Sequence, residues 1–428
     1  MSSLSMDSGV LRSWKEIAAR FGVSTRTVQS WEVEMGLPVH RTPGAKGRVY
    51  AYEAELDRWL RDHESSMSPA AERPEASRRP ILVASCAFAV LLIAGGVLLF
   101  RHFRSAGDSP IGVRVENDFL IALGAKEGEL WRYKLEASHS PAADHANSGP
   151  DHLIADLNGD GAPEVVFAPC YPFTDAHTSR VLCFSSRGKL LWQYELGKSV
   201  RTVSGDEYRP PFRAMSIGLV HLGPGRGLGI VAVAVNTYFP CQVVLLAPDG
   251  RLLREYWHAG HIQRLAVADL NRDGVDEIYL GGISNSAHRA TLVVLDPQRM
   301  GGADREADAK YQLAVAQSPV EEARILFARI PELTGVIHWN GVGLVVAEDS
   351  HLRVHVNELP AREDAQIVVI YQFTPDLRLE SVDLSDNYEN NVRLLSGKPA
   401  APRSVALSRL RDGLTFVTPR VSGPLAQR

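Results

Sequence analysis

The stretch Ala155–Pro169, ADLNGDGAPEVVFAP, is nearly copied at Ala268–Gly282, ADLNRDGVDEIYLGG. Each copy places Asp, Asn and Asp at alternate positions, then a Gly, then a Glu three residues on. The first gives Asp156, Asn158, Asp160, Gly161 and Glu164; the second gives Asp269, Asn271, Asp273, Gly274 and Glu277. Alternate oxygen-bearing side chains on a tightly turned loop converge on one point, and the Gly permits the sharp turn. Three carboxylates and an amide suit a hard divalent cation, so Ca²⁺ is the expected cofactor. An EF-hand is excluded by spacing, because the position that needs a bidentate Glu holds Phe167 in one copy and Leu280 in the other. Apolar runs enter (HLIADL, RLAVADL) and leave (EVVFAP, EIYLGG) each loop, which predicts strand-connecting turns.

A second repeat surrounds these turns. FLIALGAKEGELWRYKL begins at Phe119, VLCFSSRGKLLWQYEL at Val181 and VVLLAPDGRLLREYWH at Val243, a period of 62 residues, with weaker copies from Leu292 and Ile367. A fixed period means one sheet-like unit per repeat, stacked so that neighbours bury what one cannot. In IGLVHLGPGRGLGIVAVAV, Gly223–Gly227 occupy the slot of the acids. Together the D-x-N-x-D-G turns and the strand, G-x-L-L-W strand alternation resemble the FG-GAP/VCBS repeats. That resemblance implies a large all-β propeller over residues 111–428 with about five blades, structural metal turns and exposed loops for a protein or glycan partner.

Residues 11–60 read differently. Ser13 and Glu16 form a capping box that opens a helix over Trp14–Phe21, and Gly22 makes the turn. Ser24 caps a second helix that turns Val28, Trp31 and Met35 inward and Thr25, Arg26, Gln29 and Ser30 outward. A glycine-containing hairpin then carries Arg41, Lys46 and Arg48, with no acid between Met35 and Tyr52. These seven outward and wing residues are the candidate DNA contacts. SWKEIAARFGVSTRTVQSWEVEMGLPVHR followed by GRVYAY resembles the winged helix-turn-helix of the MerR and excisionase group. The resemblance implies a small all-α DNA-binding head.

Residues 1–10 are expected to be disordered, and 61–80, rich in Ser, Pro, Ala, Glu and Arg, to be a flexible tether. Ile81–Phe100, ILVASCAFAVLLIAGGVLLF, carries no charge. A helix of about 20 such residues matches the ~30 Å hydrocarbon core of a bilayer, which predicts a single transmembrane helix. Basic residues flank it evenly, so orientation follows from the head, which needs the chromosome's compartment. The expected placement is a bacterial inner membrane with a cytoplasmic N-terminus and an extracytoplasmic C-terminal part.

Composition sets the outer bounds. With 46 Lys+Arg against 50 Asp+Glu, a net charge of −4, the 428-residue chain is no uniformly basic nucleic-acid coat. Four cysteines exclude a disulfide-rich scaffold. Cys170 and Cys183 are either bridged across adjacent strands or left as thiols. No G-x-S-x-G, H-E-x-x-H, P-loop or C-x-x-C occurs, so no catalytic residue is assigned and an enzyme is not expected. The expected function is a membrane-tethered one-component sensor and transcriptional regulator; the alternative is an anchored adhesion or scaffold protein whose head docks a cytoplasmic protein. Expected partners are double-stranded DNA, the membrane, an external protein or glycan, and a second copy of the chain.

Overall fold

The computed structural model describes residues 9–42, 48–67, 109–139, 150–360 and 365–418. The chain divides into two units, Met1–Leu92 and Ile93–Arg428.

In the first unit, helix α1 (Trp14–Phe21) starts where Ser13 Oγ accepts the Glu16 amide, while Glu16 takes the Arg12 amide at 2.7 Å. It ends at Gly22, which is left-handed. Helix α2 (Thr25–Met35) repeats the device with Ser24 and Gly36. Helix α3 (Glu53–Met67) runs on into the segment read as tether. Ile17, Ala18, Val28, Leu56 and Trp59 form the core. The strand Val49–Tyr52 pairs with Val10–Leu11 on one side and His40–Arg41 on the other. The head is therefore not all-α, because Ala51, on the middle strand of a three-stranded sheet, is fully buried against the helices.

The second unit is a series of antiparallel sheets. The first holds Gly112–Glu116, Phe119–Leu123 and Glu129–Lys134. The second holds His152–Ala155, Glu164–Phe167, Arg180–Phe184 and Leu190–Glu195. The third runs Arg213–His221, Leu228–Val235, Cys241–Leu246 and Leu252–His258, with Gly302–Ala303 added in parallel. The fourth contains Gly260–Ala268, Glu277–Ser284, Arg289–Leu295, Ala323–Leu326 and the C-terminal Thr415–Thr418. The fifth contains Asn340–Glu348, His351–Glu358, Ile367–Phe373 and Leu379–Leu384. A two-stranded ribbon, Val200–Arg201 with Glu207–Tyr208, lies beside them.

The 62-residue period has a physical basis in one repeated contact. Trp131 Nε1 donates to Ser186 O at 3.0 Å, and Trp192 Nε1 to Pro248 O at 2.8 Å. Each indole covers a glycine of the next repeat's turn, and a Cβ at Gly188 or Gly250 would stand 2.7 or 2.6 Å from a ring carbon.

The propeller expectation is corrected. Buried apolar clusters join first sheet to second, second to third, third to fourth and fourth to fifth. Among the described residues no such cluster returns from the fifth sheet to the first, and the fifth is covered by helices α4 (Tyr388–Ser396) and α5 (Arg403–Asp412). Repetition dictates stacking of neighbours; it does not dictate closure. The fold is a multi-sheet β structure with a few short helices. Ile81–Phe100 lies outside the described residues, and no helix among the described ones is long and apolar enough to cross a membrane. The single-pass helix and the inner-membrane placement built on it are therefore not supported.

Candidate metal turns

Both acid-bearing loops connect the first two strands of their sheets. In the first, Asp156 Oδ1 accepts the amides of Gly159 (2.8 Å) and Asp160 (3.1 Å), and Oδ2 accepts that of Gly161 (2.8 Å). Asn158 Oδ1 takes the Asp160 amide and Asp160 Oδ1 takes that of Ala162, each at 2.8 Å. Glu164 accepts from Asn158 Nδ2 at 2.8 Å and from the Leu157 amide at 2.9 Å. The second loop repeats the pattern. Asp269 takes the Asp273 and Gly274 amides at 3.0 and 2.8 Å, Asn271 takes Asp273 at 2.9 Å, and Asp273 takes Val275 at 2.9 Å. Asn271 Nδ2 donates to Glu277 at 2.6 Å, and the Tyr279 hydroxyl donates to its other oxygen at 3.2 Å.

The closing glutamates are electrostatically crowded. Burial, then the charges of Asp160 and Asp156, raise the Glu164 carboxyl above its usual range. Burial and the charges of Asp273 and Asp269 push Glu277 up to about 7 against the Tyr279 hydrogen bond. An oxygen-only, acidic donor set of this kind fits a hard divalent cation. An Asp oxygen that takes an amide keeps a lone pair. Among the described residues, however, no three His, Cys, Asp or Glu side chains converge closely enough to hold a metal ion as they stand. The physical reason is that the loop amides hold the carboxylates in the turn.

One residue that the repeat hid is Asp276. Its Oδ2 accepts the His221 amide at 2.7 Å and faces His221 Nδ1 at 2.8 Å, while its own amide donates to His221 O at 3.0 Å. Arg272 reaches Ser350 Oγ at 3.0 Å. The second turn is thereby tied to the third and fifth sheets. The first copy has Pro163 where Asp276 stands. That difference between the copies was the available signal.

The candidate DNA contacts fare differently. Thr25, Arg26 and Gln29 are exposed on α2 and Ser30 is half-buried. Lys46 lies outside the described residues. Arg41 is held by both oxygens of Glu32, at 2.6 and 2.9 Å, and Arg48 is exposed, its amide donating to Thr42 Oγ1. His40 sits 2.6 Å from Glu55, and Arg20 pairs with Asp57 at 2.8 Å. Acids from α2 and α3 thus meet His40 and Arg41 of the hairpin, while Arg26 and Arg48 stay exposed; with no family model matching this mixed helix-and-sheet head, the DNA-binding reading is not supported.

Cys170 and Cys183 are both free and buried, as is Cys241. Burial pushes the Cys170 thiol up to about 11 and Cys183 up to about 12. Of the scattered histidines, His177 pairs with Asp175 and His152 with Asp151, while His258 and His261 are buried.

No family model and no curated protein matches the chain, so neither the MerR/excisionase resemblance nor the FG-GAP/VCBS resemblance stands. Among solved structures, the Pseudomonas aeruginosa PilY1 C-terminal domain matches at 14% identity over 61% of this chain, with a TM-score of 0.35. The chain spans 56% of that domain's length. The V. cholerae biofilm matrix protein Bap1 matches at 14% identity over 63% of this chain and 46% of its own, TM-score 0.20. A Synechocystis apocarotenoid oxygenase variant matches at 11% identity over 67% and 68%, TM-score 0.25.

Proposed function

We propose that this chain is a calcium-dependent binding protein of the adhesion or scaffold class and not an enzyme, with a protein or glycan as its partner. The regulator reading needs a DNA-binding head, which is not supported, so the proposal takes the other class; the anchoring segment Ile81–Phe100 lies outside the described residues and the proposal does not rest on it. One observation carries it: two turns on different sheets share the same amide-to-carboxylate pattern and end in a glutamate crowded by two aspartates. Asp156, Asn158, Asp160 and Glu164, and separately Asp269, Asn271, Asp273 and Glu277, would hold the ion. Its chemistry is neutralisation of the clustered charge, which would stiffen the turns that carry the neighbouring loops. The tie from Asp276 to His221 and from Arg272 to Ser350 would pass that stiffening to adjacent sheets.

Terbium luminescence tests the reading, because the Tyr279 hydroxyl contacts Glu277 and would sensitise an ion in the second turn. Tyrosine-excited terbium emission should appear on the full chain, be displaced by calcium, and be lost in Asp273→Ala. Emission that ignores both calcium and Asp273→Ala would overturn the cofactor and the function resting on it.

A further inference from the structure

A second group of charged residues lies in the body of the β unit, away from the metal turns. His258, at the end of the strand Leu252–His258, and Asp304, just past Gly302–Ala303, are both completely buried. His258 Nδ1 stands 2.6 Å from Asp304 Oδ2. On the other side of the ring, Nε2 is 3.1 Å from the carbonyl oxygen of Ile283, which belongs to the fourth sheet. A carbonyl only accepts, so Nε2 carries a hydrogen. Asp304 Oδ1 takes the Ala259 amide at 2.8 Å and Oδ2 takes Arg324 Nη1 at 3.1 Å, the environment of an ionised carboxylate. A bare Nδ1 lone pair facing that anion at 2.6 Å would be repulsive. The close approach is therefore an ion contact that calls for a protonated ring, although its angle is not that of a hydrogen bond.

The surroundings extend the contact across two sheets. Arg324, on the fourth sheet's strand Ala323–Leu326, also donates to Glu306 at 2.9 Å and to Arg305 O at 2.6 Å, and lies 3.8 Å from Glu321. Glu321 accepts the Tyr256 hydroxyl of the third sheet at 2.7 Å and the Thr418 hydroxyl of the C-terminal strand at 2.6 Å. Ser284 faces Glu306, and Cys241 is the register partner of His258. The backbones meet closely here, since a Cβ on Gly260 would stand 2.0 Å from Ile283 O.

We propose that His258 is a buried imidazolium clamping the third sheet to the fourth, and that losing its proton loosens this joint and with it the C-terminal strand Thr415–Thr418. Three acids, Asp304, Glu306 and Glu321, face two cations, Arg324 and His258, so neutralising the ring leaves Asp304 and Glu306 with Arg324 alone. The electrostatics run the same way. Burial is the largest influence and disfavours the charged ring, but the Asp304 charge and contact, the Glu306 charge and the Ile283 carbonyl together outweigh it and raise the His258 pKa. Burial and the Asp304 charge push Glu306 up to about 7. A group whose folded pKa lies above its unfolded value contributes stability that is complete below the unfolded pKa and lost as pH rises through the folded one. For His258 the loss begins above about pH 6.5, and for Glu306 it spans roughly pH 4.5 to 7. Burial pushes the Cys241 thiol up to about 12, so it stays protonated throughout.

Two measurements on the full chain test this. In the first, proton NMR follows the His258 ring, assigned by its absence in His258→Gln. Its midpoint should lie above the ordinary value of about 6.5. A ring that stays neutral down to acid pH, or a midpoint at or below that value, overturns the proposal. In the second, amide exchange of Thr415–Thr418, corrected for intrinsic rates, is compared at about pH 6 and about pH 8.5. It should be clearly faster at the higher pH in the native chain, because protection is lost as the ring gives up its proton. In His258→Gln it should already be fast at the lower pH and change little. Equal protection of that strand at both pH values in the native chain would contradict the joint.

Discussion

Gly161 and Gly260 show two distinct reasons for a glycine. At Gly161 φ is +84° and nothing lies within 4 Å of where a Cβ would stand, so only backbone conformation forbids a side chain. At Gly260 the obstacle is the backbone of Ile283. Gly161→Ala should therefore cost about 1–2 kcal/mol, the usual left-handed penalty, whereas Gly260→Ala should cost clearly more. Urea midpoints of the two variants check this, and equal losses would contradict it. Asp156 alone satisfies three loop amides, so Asp156→Ala should destabilise by about 1 kcal/mol even with calcium chelated, and Asp156→Asn by less. Chelator-treated melts of the three proteins measure it. The turn acids were legible because residue type and spacing are themselves the chemistry. The Asp276–His221 tie and the Glu32–Arg41 pair were not, because each depends on a residue brought in by tertiary folding.

Among the elements, the central strands of each repeat read true to their sequence: Phe119–Leu123, Arg180–Phe184, Cys241–Leu246 and Ile367–Phe373 are apolar runs flanked by turn residues. The capping box at Ser13 and the Gly22 stop were equally legible, since both act within one turn of chain. Helices α4 and α5 were not. Tyr388 and Val392, and Ala406 and Leu410, bury one narrow stripe each in a stretch otherwise polar, too few positions to distinguish from a diverged strand. The repeated indole contact supplies an element-level test. Trp192→Ala should cost about 2–3 kcal/mol by uncovering Gly250 and deleting the bond to Pro248 O. Trp131→Ala should cost a similar amount, and denaturant titration of both would refute the repeat contact if either were neutral. Because Cys170 and Cys183 are separate buried thiols, the melting temperature should be unchanged by reductant. A drop on reduction would mean that a disulfide forms.

For the molecule as a whole, periodicity conveyed the stacking of sheets but not whether the stack closes. The chain of apolar clusters from first sheet to fifth, with α4 and α5 over the fifth, is an outcome of long-range packing that a local repeat cannot encode. Arg20, His40 and Arg41 of the head likewise looked free in a window of sequence and are paired in the fold. What links the two acid-rich turns to a function is a cation that binds the folded state and stabilises it by mass action, by about 2.7 kcal/mol at a free concentration a hundredfold above the dissociation constant. The most direct test is a calcium titration of the full chain followed by heat and by melting temperature. Binding heat and a rise in melting temperature should appear at calcium near ~1 mM, with Asp160→Ala and Asp273→Ala each removing part of the response. No heat and an unchanged melting temperature up to roughly 10 mM calcium would contradict it, and the two loops would then be hairpins closed by their own amides.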